Sequence, residues 1–174
     1  MYGLRRLGAA DRAEFRALRL IALQADPDNF IVTATEERAI ERLSIEDALE
    51  KPRGDNFILG AFLKEKNTLV GIAALITTPL LKGRHCGHVR SVFVDPAHRR
   101  HGLARQLITN LIEGAEQSGL RYARLEVVAE NEGAVTLYES LGFSAYGREP
   151  GAYRLGDREW DVLLMTRKLR NADA

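Results

Sequence analysis

The sequence holds one cysteine, Cys86, in 174 residues. A lone thiol closes no internal disulfide, so packing must hold the fold, and a reducing, cytoplasmic setting is expected. Neither sign of charge prevails. Lys plus Arg numbers 25 against 24 for Asp plus Glu, a net charge of +1. A general nucleic-acid binder shows a clear basic excess, so no nucleic-acid partner is expected. Long apolar runs are missing as well. No segment approaches the roughly 20 apolar residues of a bilayer span. The opening MYGLRRLGAADRAEF has no apolar run of signal-peptide length, so no membrane partner is expected either. Repeats, low-complexity tracts and linker-like composition are also lacking. The length suits one domain over 1–174, and 45% hydrophobic residues suffice for a real core.

What is present is periodic. Residues 4–7 read as a short first strand. Asp11 and Glu14 resemble a helix-capping arrangement, after which Phe15, Leu18, Ile21 and Ala22 give one helical face. Asp26-Pro27 ends that helix. A second helix is expected from about Glu36 to Glu50, with Ile40, Leu43 and Leu49 as its apolar positions, before Pro52, Gly54 and Asp55 break the pattern. NFILGAFLKE (56–65) and TLVGIAALIT (68–77) form a hairpin around Lys66-Asn67, and HVRSVFV (88–94) is a third strand of this group. An amphipathic helix follows, carrying Leu103, Leu107, Ile108, Leu111, Ile112 and Ala115 on one face and stopping at Gly119. LRYARLEVVA (120–129) is a strand. Ala134, Leu137, Tyr138 and Leu141 mark one more helix, which Gly142 terminates. Strands over 144–155 and 158–169 close the chain. The order is strand, two helices, three strands, helix, strand, helix, two strands, an α/β architecture on a mixed sheet.

The stretch VDPAHRRHGLARQLI (94–108) breaks a local preference. Arg99, Arg100 and His101 stand where a helix starts, although the helix dipole is positive at that end. Unpaired N–H groups, a glycine that admits close approach, and guanidinium forks together make a pyrophosphate cradle at a strand-to-helix junction. The plainer reading of the same residues is a solvated loop. Neither the dinucleotide fingerprint nor the triphosphate loop is present.

RRHGLA resembles the acyl-CoA signature R/Q-x-x-G-x-G/A of the GCN5-related N-acetyltransferase (GNAT) family, preceded here by VFVDP. LEVVAENEGAVTLYESLGF is similar to that family's second motif, L-x-V-x-x-x-N-x-x-A-x-x-L-Y-x-x-x-G-F. The spacing between the two motifs fits, and the element order matches over nearly the whole chain. The resemblance implies a GNAT-type acyltransferase fold, a mixed, mostly antiparallel sheet flanked by helices. It implies transfer of an acetyl group from acetyl-CoA, the acyl donor substrate, to a primary amine by direct attack without an acyl-enzyme. In family terms Val92, Phe93 and Val94 pair with the pantetheine arm. The backbone of Arg100, His101, Gly102, Leu103, Ala104 and Arg105 cradles the pyrophosphate, with Arg99 beside it. Asn131 bonds the cofactor arm; by itself it also reads as a helix N-cap, and both roles are compatible. Tyr138 corresponds to the tyrosine acid, a phenol weak enough to stay protonated yet able to protonate a departing thiolate. Helical spacing alone makes it one more core residue. Glu126 stands between Leu125 and Val127, where an apolar strand would not ask for a carboxylate. The resemblance implies a general base here, as a Glu at this position of L-E-V serves in the family's protein N-terminal acetyltransferases; the plainer reading is an exposed strand residue paired with Arg121 or Arg124.

His85, Cys86 and His88 lie within four residues, but no second cluster completes a tetrahedral site, so no metal is expected. Trp160 and Tyr153 are expected to pack on the closing strands, which the resemblance implies also border the acceptor site. The resemblance implies an acceptor site built from the first helices and the loop between the last strands, here 11–50 and 148–160, which carry no legible motif. Three readings follow. The acceptor is a protein N-terminus or lysine, favoured by a groove open at both ends; or a small amine, favoured by a closed acidic pocket; or the chain is a non-catalytic acyl-CoA-binding regulatory module. Exposed edge strands fit a monomer or a homodimer.

Overall fold

The computed structural model describes residues 1–170. Seven strands and five helices follow one another along the chain: β1 (Tyr2–Arg6), α1 (Arg12–Ala25), α2 (Ala34–Ala39), α3 (Asp47–Glu50), β2 (Phe57–Leu63), β3 (Thr68–Thr77), β4 (Cys86–Val94), α4 (Leu103–Gln117), β5 (Tyr122–Val128), α5 (Glu132–Ser140), β6 (Ser144–Leu155) and β7 (Arg158–Lys168). The strands form one mixed sheet in the order β1-β2-β3-β4-β5-β7-β6. Every neighbouring pair is antiparallel except β4 with β5, which α4 connects. The expected mixed, mostly antiparallel sheet flanked by helices is therefore what forms. Among the described residues no helix is long and apolar enough to cross a membrane.

The near-continuous apolar runs of β2 and β3 follow from burial on both faces. On one face α4 lays Leu107, Ile108 and Leu111 against Phe57, Val70, Leu75 and Val89. On the other face Phe15, Leu18 and Ala22 of α1 pack on Ile58, Ile72 and Phe93. Each large aliphatic or aromatic side chain buried in this way contributes roughly 1.5–3 kcal/mol. Phe93 thus serves the α1 face and Val94 the α4 face of the same strand.

Two local expectations are corrected. Asp11 precedes α1 but makes no side-chain cap. Its carboxylate instead accepts the Gly8 N–H at 2.8 Å and the Arg5 guanidinium at 2.6 and 2.8 Å, fastening β1 to the turn. The helix expected over 36–50 is two short helices, α2 and α3, joined by an irregular stretch. The cause is an arginine ladder on α1. Arg16 Nη2 donates to the carbonyls of Ile40 at 2.8 Å and Glu41 at 2.6 Å, groups that a continuing helix would satisfy within itself. Arg12 and Arg16 also hold Glu46, whose side chain is 0% exposed, at 2.6 and 2.5 Å. Thr33 caps α2 by accepting the Glu36 N–H, and the Glu36 carboxylate answers on the Thr33 N–H. The first strand begins two residues earlier than its apolar pattern indicates. Its ladder still reaches Leu7, whose N–H donates to the Ile58 carbonyl at 2.8 Å.

Burial alone would raise the Glu46 carboxyl, but its bonds to Arg12 and Arg16 outweigh that and hold it below its ordinary value. A carboxylate depressed in the folded state stabilises above its unfolded pKa, and the contribution is lost as pH falls through the folded value. Glu46→Ala is expected to cost about 2–4 kcal/mol in urea unfolding at pH 7 and progressively less below about pH 4. An unchanged urea midpoint at pH 7 would show that the ladder does not hold this wall.

Candidate active site

The site begins where two strands stop pairing. β4 and β5 run parallel through only three positions, Cys86 with Tyr122, Gly87 with Ala123 and His88 with Arg124. Beyond His88 they part. β5 stays bonded to β7 along its whole length, from Tyr122 with Lys168 to Val128 with Val162. It is β4 that turns. Between the pairs Ala74–Arg90 and Ile72–Phe93 one residue of β3 faces two of β4, a bulge, and Ser91 there has φ +53°. A serine in the left-handed region is strained and must be held. Arg19 of α1 holds it, donating to Ser91 Oγ at 2.6 Å while its other guanidinium nitrogens bind the buried Glu37 of α2. The edge of β4 over Val92, Phe93 and Val94 that faces β5 therefore has no strand partner.

A cavity of about 870 Å³ opens in this gap. The sequence-derived residues Val92, Phe93, Val94, Arg99, Ala104, Glu126, Asn131 and Tyr138 all line it, as does Tyr153. Glu126 is exposed, between buried Leu125 and Val127. No ion pair forms from it to Arg121 or Arg124. Tyr138 is 7% exposed, its ring edge-on to Phe143 at 5.9 Å. The end of α5 fixes it: Gly142 takes φ +83°, and the Phe143 N–H returns to the Tyr138 carbonyl at 3.1 Å. Its hydroxyl has no protein hydrogen bond, yet it is not among the sealed, unpaired polar atoms, so it opens to the cavity. Burial pushes the phenol up to about 12. The site thus combines an exposed carboxylate with a phenol held firmly in its protonated form.

The loop after β4 has the cradle geometry. Asp95 caps a short turn by accepting the Ala97 N–H at 2.9 Å. Arg100 at φ +65° and Gly102 at φ +72° then reverse the chain into α4. Gln106 makes the first bond of α4, to the Gly102 carbonyl at 3.0 Å, and among the described residues no backbone amide from Arg100 to Arg105 donates to a protein acceptor. A run of free amides on the axis of a 15-residue helix is an anion site. Arg100, His101 and Gly102 are exposed at the rim, outside the cavity lining. The side chains are more committed than their sequence implies. Arg99 is paired with Asp26 at 2.5 Å and donates to the Val94 carbonyl at 3.0 Å. His101 packs on Tyr2, and Arg105 donates to Ser140 Oγ at 2.7 Å, tying α4 to α5. Leu103 is core. Asn131 is the N-cap of α5, accepting the Ala134 N–H at 3.2 Å, and lines the cavity as well.

Sequence reasoning missed Arg19, Glu37, Arg90 and Ser91. A bulge and an ion pair between two helices leave no local pattern; only Arg90, polar beside the apolar Val89 of a strand, carried any signal. His85 packs edge-on to Tyr122, Cys86 is buried, and His88 lines the cavity, so the three do not converge. Trp160 is buried with Val128 and Val162, as expected of a closing strand.

Burial, then the charges of Arg90 and Arg124, hold the His88 imidazole below its ordinary value, while Glu126 opposes them. An NMR titration is expected to place His88 below 6.5. Arg90→Gln should raise that value and Glu126→Gln should lower it; a His88 indifferent to both would separate it from this cluster.

Comparison with known proteins agrees with the geometry. The model of the Acetyltransferase (GNAT) family matches residues 15–143. The ribosomal protein bS18-alanine N-acetyltransferase of Escherichia coli (strain K12) is 39% identical over 75 residues, 43% of this chain and 51% of that protein. The chain thus spans about half the length of this relative. An acetyltransferase of the GNAT family from Streptococcus pneumoniae superposes with a TM-score of 0.77 at 25% identity, over 98% of this chain and 100% of that one. The fold also matches yncA from Salmonella typhimurium, solved with its cofactor acetyl-CoA, with a TM-score of 0.79 at 20% identity over 100% of this chain and 97% of that one. The chain belongs to the GNAT acetyltransferase family.

Proposed function

We propose that the chain is an acetyl-CoA-dependent N-acetyltransferase, one domain over 1–174, acting on a primary amine in a reducing cytoplasm. Residues 171–174 of that span lie outside the described residues. The observation that carries the reading is the meeting of Glu126 and Tyr138 in one cavity, at the gap between β4 and β5 and beside the free amides of the loop.

Each part has a task. The amides of Arg100 to Arg105 take the pyrophosphate of acetyl-CoA, aided by the helix dipole. The free edge of Val92, Phe93 and Val94 pairs with the pantetheine amides as a strand would. Asn131 presents its side-chain amide to the same arm. Glu126 accepts a proton from the acceptor ammonium, directly or through water, because only the neutral amine is nucleophilic. The amine nitrogen then bonds to the thioester carbonyl carbon, and the carbon–sulfur bond breaks. Tyr138 gives its proton to the departing thiolate sulfur and is reprotonated at the expense of the nitrogen, which sheds its second proton as the amide forms. A phenol near 12 is fully protonated at neutral pH, so the donor is always loaded. Holding both reactants at one point removes the entropic cost of their meeting, so no covalent enzyme intermediate is needed.

Tyr138→Phe is expected to bind CoA as the native protein does, by calorimetry, and to lose about 100-fold in turnover, read as thiol release. Because the folded pKa is raised, Tyr138 stays protonated below about pH 10 and should impose no loss of activity there. Turnover unchanged in Tyr138→Phe removes the phenol from the mechanism. CoA binding without turnover on any amine would leave a regulatory module instead.

A further inference from the structure

The acceptor end of the cavity is charged in a particular way, and the inference rests on the amine-transfer reading above. Most charges on its wall are already neutralised. Arg19 is paired with Glu37, Arg99 with Asp26, and Arg42 with Asp47 and Glu50. Two are not. Among the described residues neither Arg90 nor Glu126 has an ion-pair partner, yet both line the cavity. Their placement follows from the register. His88 faces Arg124 in the last parallel pair. Two residues further along each strand, on the same face, come Arg90 and Glu126. Had the strands stayed together these two would sit side by side and neutralise each other. Because the pairing ends at His88 with Arg124, the two stay unpaired, a cation on the β4 side of the gap and an anion on the β5 side. Both charges still act on one spot: Tyr153, half-buried above them, feels Glu126 and Arg90 with opposite effect.

We propose that the acceptor is a free α-amino acid, its ammonium held by Glu126 and its carboxylate by Arg90. A guanidinium matches a carboxylate with two parallel hydrogen bonds. A zwitterion whose charges are separated by one carbon bridges two facing lips of opposite charge, and this bridging presents its nitrogen at the base. The exposed Ile31 and Ile40 flank the mouth and leave an apolar place for the amino-acid side chain. A simple cation finds no acidic pocket here, since the other carboxylates on the wall are taken. A peptide N-terminus or a lysine side chain carries no carboxylate one carbon from its nitrogen and so leaves Arg90 unanswered. The reaction balances as acetyl-CoA plus amino acid giving N-acetyl amino acid and CoA. The first ammonium proton passes to Glu126 and on to solvent, the sulfur receives one from Tyr138, and the second nitrogen proton, shed as the amide forms, restores the phenol, so that one proton is released per turnover.

The test is turnover of the twenty proteinogenic amino acids, each beside its α-amide, together with short peptides and simple amines, and with calorimetric CoA binding alongside. At least one amino acid should exceed its own amide by about 10- to 100-fold in kcat/KM. Arg90→Gln should bring that ratio to about 1, and Arg90→Lys should keep part of it. Amides, peptides or simple amines used as well as or better than every free acid would overturn this inference while leaving the transferase reading intact. An equal loss on acid and amide in Arg90→Gln would overturn it in the same way, as a structural rather than selective effect. CoA binding with none of the panel acetylated would overturn it together with amine transfer, and absence of CoA binding would overturn the donor site itself.

Discussion

The parting of β4 from β5 after three paired positions is the constraint on which the rest depends. A parallel pair in the middle of a sheet would normally bond along its length, because unpaired backbone groups in an interior are costly. Here the cost is accepted on one side only. β4 keeps its partner β3, and β5 keeps β7, so the gap is a slot with two rigid walls. The bulge at Ser91 makes the turn, and Arg19 makes it permanent by joining Ser91 to Glu37. One mostly buried guanidinium thus couples α1, α2 and the mouth of the slot.

The two faces of the sheet divide the work. On the α4 face, a core of aliphatic side chains fixes the helix whose first turn offers free amides. On the α1 face, the arginines of α1 unwind what would be a long second helix and bend it into a wall. The wall is held by ion pairs reaching into the interior rather than by helical bonds. Arg99 bridges the two faces, since its guanidinium reaches Asp26 at the end of α1 while its Nε returns to β4.

Much of this was legible in the sequence. The strand and helix order followed from periodicity, because buried elements repeat at 2.0 or 3.6 residues and turns carry Gly, Asn and Asp. Glu126 stood out because a carboxylate interrupted an apolar strand, and Tyr138 because it falls within the second motif. The cradle was readable because Gly102 with its flanking arginines contradicts the dipole preference. What could not be read depends on contacts distant in sequence. The break in the helix over 36–50 comes from Arg12 and Arg16, more than twenty residues earlier, whose own helix gives no hint of their targets. Asp11 is a nearer case: its carboxylate accepts from Gly8 and Arg5 instead of capping α1, a choice among close neighbours that the residue pattern does not reveal. The sequence places Arg99 beside the pyrophosphate without showing its partner, because Asp26, which binds it, lies 73 residues away.

The most direct test of the account is backbone hydrogen exchange, residue by residue, with and without CoA. The slot and the cradle both present free backbone amides. The account predicts that CoA slows exchange at the cavity-facing amides of Val92 to Val94 and at those of Arg100 to Arg105, with little change across β1, β2 and β6. Protection confined to other elements, or no protection by saturating CoA, would contradict it.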